Sequence, residues 1–284
     1  MIRIGPAGWN YKDWAGIVYP AKRPRGFSEP GYLAEVFDTL EINTSFYGPP
    51  RPKSATAWVD AIAHNPNFKF TAKLYRAFTH QRNATQEDER LFKNGMEPIA
   101  AKDRLGALLV QFPISFHHAP ENLDYVARLQ ARFHEYPLVL EVRHRSWDDE
   151  RVLSALSEMG IGVCNIDQPL IGKGLKPSSY VTSDVGYVRL HGRNYKQWFS
   201  EKATVAERYD YLYSLQELEP WADRVKAIAK RSKDMYAVTN NHHVGKAIAN
   251  GVELAALVLD KPLKIPSQWT VHYPELKQLA AVEN

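Results

Sequence analysis

The run Tyr187-Val188-Arg189-Leu190-His191 alternates apolar and polar side chains, and how it is read decides the fold. Residues two apart on a strand share a face, so Arg189 and His191 point one way while Val188 and Leu190 point the other. An apolar face against helices and a polar face turned inward suit a strand of a parallel barrel. Such barrels keep their working residues at the C-terminal rim. Similar pairs sit near the C-terminal ends of other apolar runs: Glu41 with Asn43, Thr71 with Lys73, Glu141 with Arg143, Asn165 with Asp167, and Thr239 with Asn241. In Gly162–Asp167 the same logic expects Cys164 and Ile166 to face outward and Asn165 and Asp167 inward.

Eight runs read as strands: Arg3–Gly5, Leu40–Asn43, Lys69–Lys73, Ala107–Phe112, Leu138–Val142, Gly162–Asp167, Tyr187–His191 and Met235–Asn240. Helical patterns fill most gaps between them. They cover Tyr32–Phe37, Ser54–Ala63 and Thr85–Ala101, the last opened by a Thr85/Asp88 capping box. After Pro120, the residues Leu123, Val126, Leu129 and Phe133 mark one helix face. Ser146 and Asp149 have capping-box spacing ahead of Val152, Leu156 and Met159. Thr204–Lys230 reads as two helices broken at Pro220, and Gly245–Leu259 closes the series. Gln168–Asp184 holds Pro169, Gly172, Gly174 and Pro177 without helical period, so a loop is expected there, a candidate lid. The expectation is an α/β chain, residues 1–284 forming a single TIM-like (β/α)8 barrel. It has an irregular connection between the sixth and seventh strands and a tail from about residue 261 packed outside.

Composition narrows the class. Lysine and arginine number 36 against 32 acidic residues, a net charge of +4 too small and too dispersed to argue for nucleic acid by itself. The longest apolar runs, such as Leu105–Phe112, are far short of a membrane span. Ile2–Gly5 reads as a strand, not a signal peptide, and Cys164 has no cysteine to pair with. A cytoplasmic protein with no membrane partner is the expectation. Dinucleotide and phosphate-loop fingerprints, cysteine–histidine zinc spacing and a Gly-x-Ser-x-Gly elbow are all missing from the sequence.

Several motifs together resemble a known family. Gly5-Pro6-Ala7-Gly8-Trp9, with Trp14 beyond it, is similar to the opening motif of the YecE-like family, domain of unknown function seventy-two. Glu41-Ile42-Asn43-Thr44-Ser45-Phe46-Tyr47, Glu141-Val142-Arg143-His144-Arg145-Ser146-Trp147 and Tyr187–Arg193 resemble its later motifs. Asn240-Asn241, followed by Gly245, Ala247 and Asn250, resembles its C-terminal signature. The resemblance implies a TIM barrel and leaves the chemistry open. It also implies kinship with metal-dependent sugar isomerases. By strand count Glu141, Asp167 and His191 would take three places of a divalent-metal site, and Asn240 and Asn241 stand where a fourth carboxylate is expected.

Chemically, Glu141 and Glu41 are candidate general acid and base, since carboxylates in different environments can hold separated pKa values. Asp167 and His191 are further candidates for proton transfer. Lys73 is a candidate nucleophile toward a carbonyl if desolvation lowers its pKa, or an electrostatic clamp. Arg143, Arg189 and Arg193 make the rim cationic and favour an anionic or carbohydrate-like substrate. Asn43, Trp9, Tyr47, Asn240, Asn241 and His80 are candidate substrate contacts. No cofactor follows with certainty, and a divalent metal is the one the pattern allows. The leading expectation is acid–base chemistry of hydrolase or isomerase type. Two alternatives stand beside it. One is nucleic-acid binding or processing through the basic, aromatic loops Trp9–Trp14 and Gly192–Phe199. The other is a metabolite-binding barrel without catalysis.

Overall fold

All eight expected strands are present in the computed structural model, which describes residues 1–198, 203–259 and 263–280 (without the side chains of 205 and 206). They are β1 (Ile2–Pro6), β2 (Thr39–Ile42), β3 (Lys69–Lys73), β4 (Leu105–Gln111), β5 (Leu138–Glu141), β6 (Gly162–Asp167), β7 (Val185–Leu190) and β8 (Asp234–Thr239). Neighbours pair in parallel in the order β1-β8-β7-β6-β5-β4-β3-β2. A bridge from Ala7 to Glu41, with Gly8 N donating to Glu41 O at 2.8 Å, joins the two edges. Glycine is required at position 5 for that closure, because a Cβ there would lie 1.9 Å from Thr39 O.

Helices fill the connections: α1 (Glu29–Leu33), α2 (Pro52–Ala61), α3 (Arg76–Thr79), α4 (Gln86–Ala100), α5 (Pro120–Arg132), α6 (Glu150–Glu158), α7 (Val205–Arg208), α8 (Leu215–Ala229), α9 (Lys246–Leu259) and α10 (Ser267–His272). The Thr85/Asp88 capping box forms as expected. Three boundaries differ from the sequence reading. Ser28 caps α1, which therefore starts before Tyr32. Asp149 itself caps α6, accepting from Arg151 N. The break between α7 and α8 falls at 209–214, and α8 runs through Pro220. A Ser214/Glu217 capping box restarts that helix, and burial of Leu218, Trp221, Val225 and Ile228 against the barrel offsets the hydrogen bond lost at the proline. Among the described residues, no helix is long and apolar enough to cross a membrane.

The connection between β6 and β7 carries no helix, but hydrogen bonds fasten it to the segments at the ends of β5 and β6. Leu175 N donates to Arg143 O at 2.9 Å, Arg145 N donates to Lys173 O at 2.8 Å, and Asn165 binds Ser178 and Tyr180. Beyond α9, Trp269 of α10 stacks on Phe37 and donates through its indole N–H to Val18 O at 2.8 Å. Phe199 and the tail residues 261–262 and 281–284 lie outside the described residues.

Register corrects the facing of two strands. Ile166 pairs with Arg189 and Cys164 with Tyr187, so Cys164 and Ile166 share the lumen with those residues. Asn165 and Asp167 consequently face the helices. On β8, Tyr236 and Val238 point inward while Thr239 faces α9, where its hydroxyl donates to Ala247 O at 2.8 Å. The lumen is apolar over much of its length, filled by Leu109, Val139, Cys164, Ile166 and Val238, and turns polar toward the C-terminal rim.

Candidate active site

A charged network crosses the barrel near the rim. Arg189 donates to Glu41 Oε1 at 2.7 Å and to Glu141 Oε2 at 2.5 Å, and all three side chains are fully buried. Arg143 donates to Glu141 Oε1 through both Nε and Nη2, at 3.2 and 3.0 Å. The Tyr187 hydroxyl donates to Glu41 Oε2 at 3.0 Å and lies 2.8 Å from Thr71 Oγ1. Two carboxylates thus face two guanidinium groups, a neutral set in which each charge has a partner. Burial alone would raise the Glu141 pKa, but the charges of Arg189 and Arg143 override it and hold the carboxyl well below its usual range.

His191 closes the network. Its Nδ1 lies 3.0 Å from Asn240 Nδ2, and its Nε2 lies 3.2 Å from Glu141 Oε1 without hydrogen-bond alignment. Burial first, and Arg143 and Arg189 after it, push its pKa down to about 3 despite the facing carboxylate. The ring is therefore neutral at physiological pH. An ionised Glu141 beside Nε2 favours the tautomer with the proton there, which leaves Nδ1 to accept from Asn240.

Next to this network the rim opens into a cavity of about 620 Å3. The ends of β1, β2, β3, β4, β7 and β8 and the segments after them supply its walls: Trp9, Tyr11 and Asp13, Asn43 and Tyr47, Lys73 and His80, Gln111, Arg208 and Tyr209, and Asn240 and His242. Lys73 ends β3 with its ammonium 5.3 Å from the Phe46 ring centre, and no carboxylate among the described residues lies within ion-pair distance. Enclosure in the mouth, together with the charge of Arg189, pushes its pKa down to about 8. The His80 ring packs edge-on to the other side chain in this group, Phe46, at 4.9 Å, and burial with the nearby Arg143 and Lys73 charges lowers its pKa. Asn43 donates through Nδ2 to Tyr11 Oη, whose own proton goes to Ala7 O. Asn43 Oδ1 and Gln111 Oε1 are buried acceptors with no partner among the described residues.

The expected site residues therefore divide into three groups. Glu41, Glu141, Arg143, Arg189 and His191 meet in the network, and apart from Asn240 none of its members lines the cavity. Lys73, Asn43, Trp9, Tyr47, His80 and Asn240 line the cavity. Asp167, Arg193 and Asn241 belong to neither. Asp167 is turned to the helix side, where Arg193 grips both its oxygens at 2.8 and 3.1 Å and Tyr213 donates to it at 2.6 Å. Asn241 donates to Tyr211 O and Asn250 Oδ1, fixing α9 to the loop before α8. The connection 168–184 does not line the cavity. Trp14 is fully buried with its indole N–H on His242 O, and Trp9 is buried edge-on to Trp58, so both anchor loops and are not free to stack on bases. The sequence places His242 in the loop after the eighth strand, within reach of this rim, whereas Gln111 and Tyr11 were not singled out. Gln111 was findable, since it continues the inward phase of Ala107 and Leu109 and pairs with Glu141.

The residues expected to hold a divalent metal do not fit one. Asp167 lies on the opposite face of β6 from Glu141, Glu141 is engaged by two arginines, and His191 is held between Asn240 and that same carboxylate. A cation there would compete with Arg189 and Arg143 for one anion.

Comparison with known proteins agrees with this architecture. The protein YunF of Bacillus subtilis (strain 168), of the UPF0759 group, is 30% identical over 273 residues, covering 91% of this chain and 95% of the relative. A crystal structure of a DUF72 family protein from Thermotoga maritima superposes with a TM-score of 0.78 at 31% identity, over 91% of this chain and 99% of that one. A second, from Enterococcus faecalis, gives 0.79 at 25% identity, over 91% and 96%. Residues 3–271 match the model of the protein of unknown function DUF72. Over nearly its whole length, and in the barrel that its residues build, the chain belongs to the DUF72 family.

Proposed function

We propose that this protein is an enzyme performing proton transfer on a small, polyhydroxylated anion held in the rim cavity, with Lys73 as the working group. The observation that carries this reading is an ammonium with no carboxylate partner among the described residues, on the wall of a cavity large enough for a sugar phosphate or sugar acid. A pKa of about 8 lets that amine both accept and donate a proton near neutral pH. Asn43 Oδ1 and Gln111 Oε1 offer acceptors suited to hydroxyl donors. The exposed ring of Tyr47 at the cavity lip suits the apolar side of a sugar ring. Arg143 lies within Coulombic reach of Lys73 and His80 and Arg208 lines the cavity, so the positive potential there favours an anionic ligand. The buried glutamates act from behind the wall, holding Arg143 and Arg189 in place.

The test is a panel of sugar phosphates and uronates, scored for binding and for turnover by NMR. Wild-type protein is expected to bind and convert at least one member, with Lys73→Met reducing turnover by roughly 100-fold or more. Binding of none of them, or turnover unchanged in Lys73→Met, contradicts the reading.

A further inference from the structure

We propose that Lys73 is a nucleophile that forms an imine with an aldehyde or ketone carbon of its substrate, so that the substrate class is a carbonyl compound carrying an anionic group. This rests on the proposed function above and names the chemistry of that same site. The argument starts from what Lys73 does not do. A lysine kept for stability near a charged layer would neutralise a carboxylate, but Glu41 and Glu141 are already taken by Arg189 and Arg143. Nor is Lys73 the sole source of positive charge for an anion, because Arg143 lies within Coulombic reach of it and Arg208 lines the same cavity. What remains is an amine over the Phe46 ring, facing the cavity, whose protonation is disfavoured first by burial and then by Arg189, against the opposing pull of Glu41 and Glu141.

Lowering the pKa from 10.5 to about 8 changes the free-amine fraction decisively. At pH 7.4 roughly a fifth of such amines are unprotonated, against about one in a thousand for an ordinary lysine. In the step itself the Nζ lone pair attacks the carbonyl carbon and the C–O π electrons move to oxygen. The resulting carbinolamine loses that oxygen as water, taking both amine hydrogens overall, and a C=N bond replaces C=O. No oxidant or reductant enters. The protonated imine withdraws electrons from the adjacent carbon, whose proton then becomes removable. His80, kept neutral and packed against the same Phe46 ring, is the base on that wall. The acceptors Asn43 Oδ1 and Gln111 Oε1 take hydroxyls of the remaining chain.

The test is borohydride trapping on the intact protein with three probes: glyceraldehyde 3-phosphate, dihydroxyacetone phosphate and pyruvate. Binding is followed in parallel by NMR line broadening of each probe. The expected result is a single reduced adduct mapped to Lys73 by peptide mass spectrometry. It should form at least about tenfold faster than adducts at surface lysines at pH 7.4, with a rate that rises to half its maximum near pH 8. Lys73→Arg keeps the charge and should keep probe binding while losing the adduct. Binding without a Lys73 adduct, or adducts spread alike over wild type and Lys73→Arg, overturns the imine and leaves the proposed function standing. Neither binding nor adduct for any probe overturns both.

Discussion

Arg189 sits between Glu41 and Glu141 with every charge answered, whereas a short way along the same rim Lys73 faces a cavity with no carboxylate among the described residues within ion-pair distance. Both groups are polar side chains at strand C-ends, and from sequence they look alike. Their environments separate them. A buried pair that is matched and hydrogen-bonded organises the barrel and is costly to break, while an unmatched group on a cavity wall costs stability as it stands and is kept for something else. Charge alone therefore does not mark the working residue in this barrel. An unmet charge does.

The largest effect should come from breaking the matched side. Arg189→Met leaves two buried carboxylates facing each other and is expected to lower stability by about 3–5 kcal/mol, measured by urea unfolding at pH 7. If the loss is small, the network is not the structural unit inferred here.

The second prediction concerns acid. His191 in the folded protein takes a proton only near pH 3, whereas in the unfolded chain it does so near 6.5. A lowered histidine pKa means that the unfolded state binds the proton first, so stability falls as pH drops below about 6.5. The slope from this one group is about 1.4 kcal/mol per pH unit. His191→Gln should flatten the stability profile by that amount between pH 6 and 4. Glu141, whose folded pKa is depressed, adds its own loss further down, once pH falls below the ordinary carboxylate range.

Lys73→Met tests the unmatched side and should move stability the other way. The lowered lysine pKa means the folded state resists protonation, so the cost is present at pH 7 and fades as pH rises from about 8 toward 10.5. Because the side chain is partly open to solvent, a gain of about 1 kcal/mol is expected at pH 7. Turnover should be lost with it. Smallest of all is Tyr47→Ala. Tyr47 is 64% exposed at the cavity lip, so stability should shift by less than about 0.5 kcal/mol while affinity for a ring-shaped ligand drops.

Much of the fold was legible because alternation and turn chemistry act locally. The inward phase of Arg189 and His191, of Glu41, and of Glu141 with Arg143 could be read directly. The reading inverted β6, and the reason is physical. In a parallel sheet covered by helices both faces are buried, so polar residues on alternate positions do not say which face they occupy. Asn165 is polar because it ties down the β6–β7 connection, and Asp167 because it holds Arg193 and Tyr213. The same ambiguity put Asn241 at the site beside Asn240, although the two point to opposite sides of the strand end. The division between network and cavity was not legible at all, since it depends on which guanidinium reaches which carboxylate across the barrel.

The most direct test of the central claim is an NMR titration of the Lys73 side chain in the intact protein, assigned with Lys73→Arg. A midpoint near 8 is the predicted result. A midpoint near 10.5 would mean that the ammonium is solvated or paired like any other, and that the contrast between the two halves of this rim does not exist.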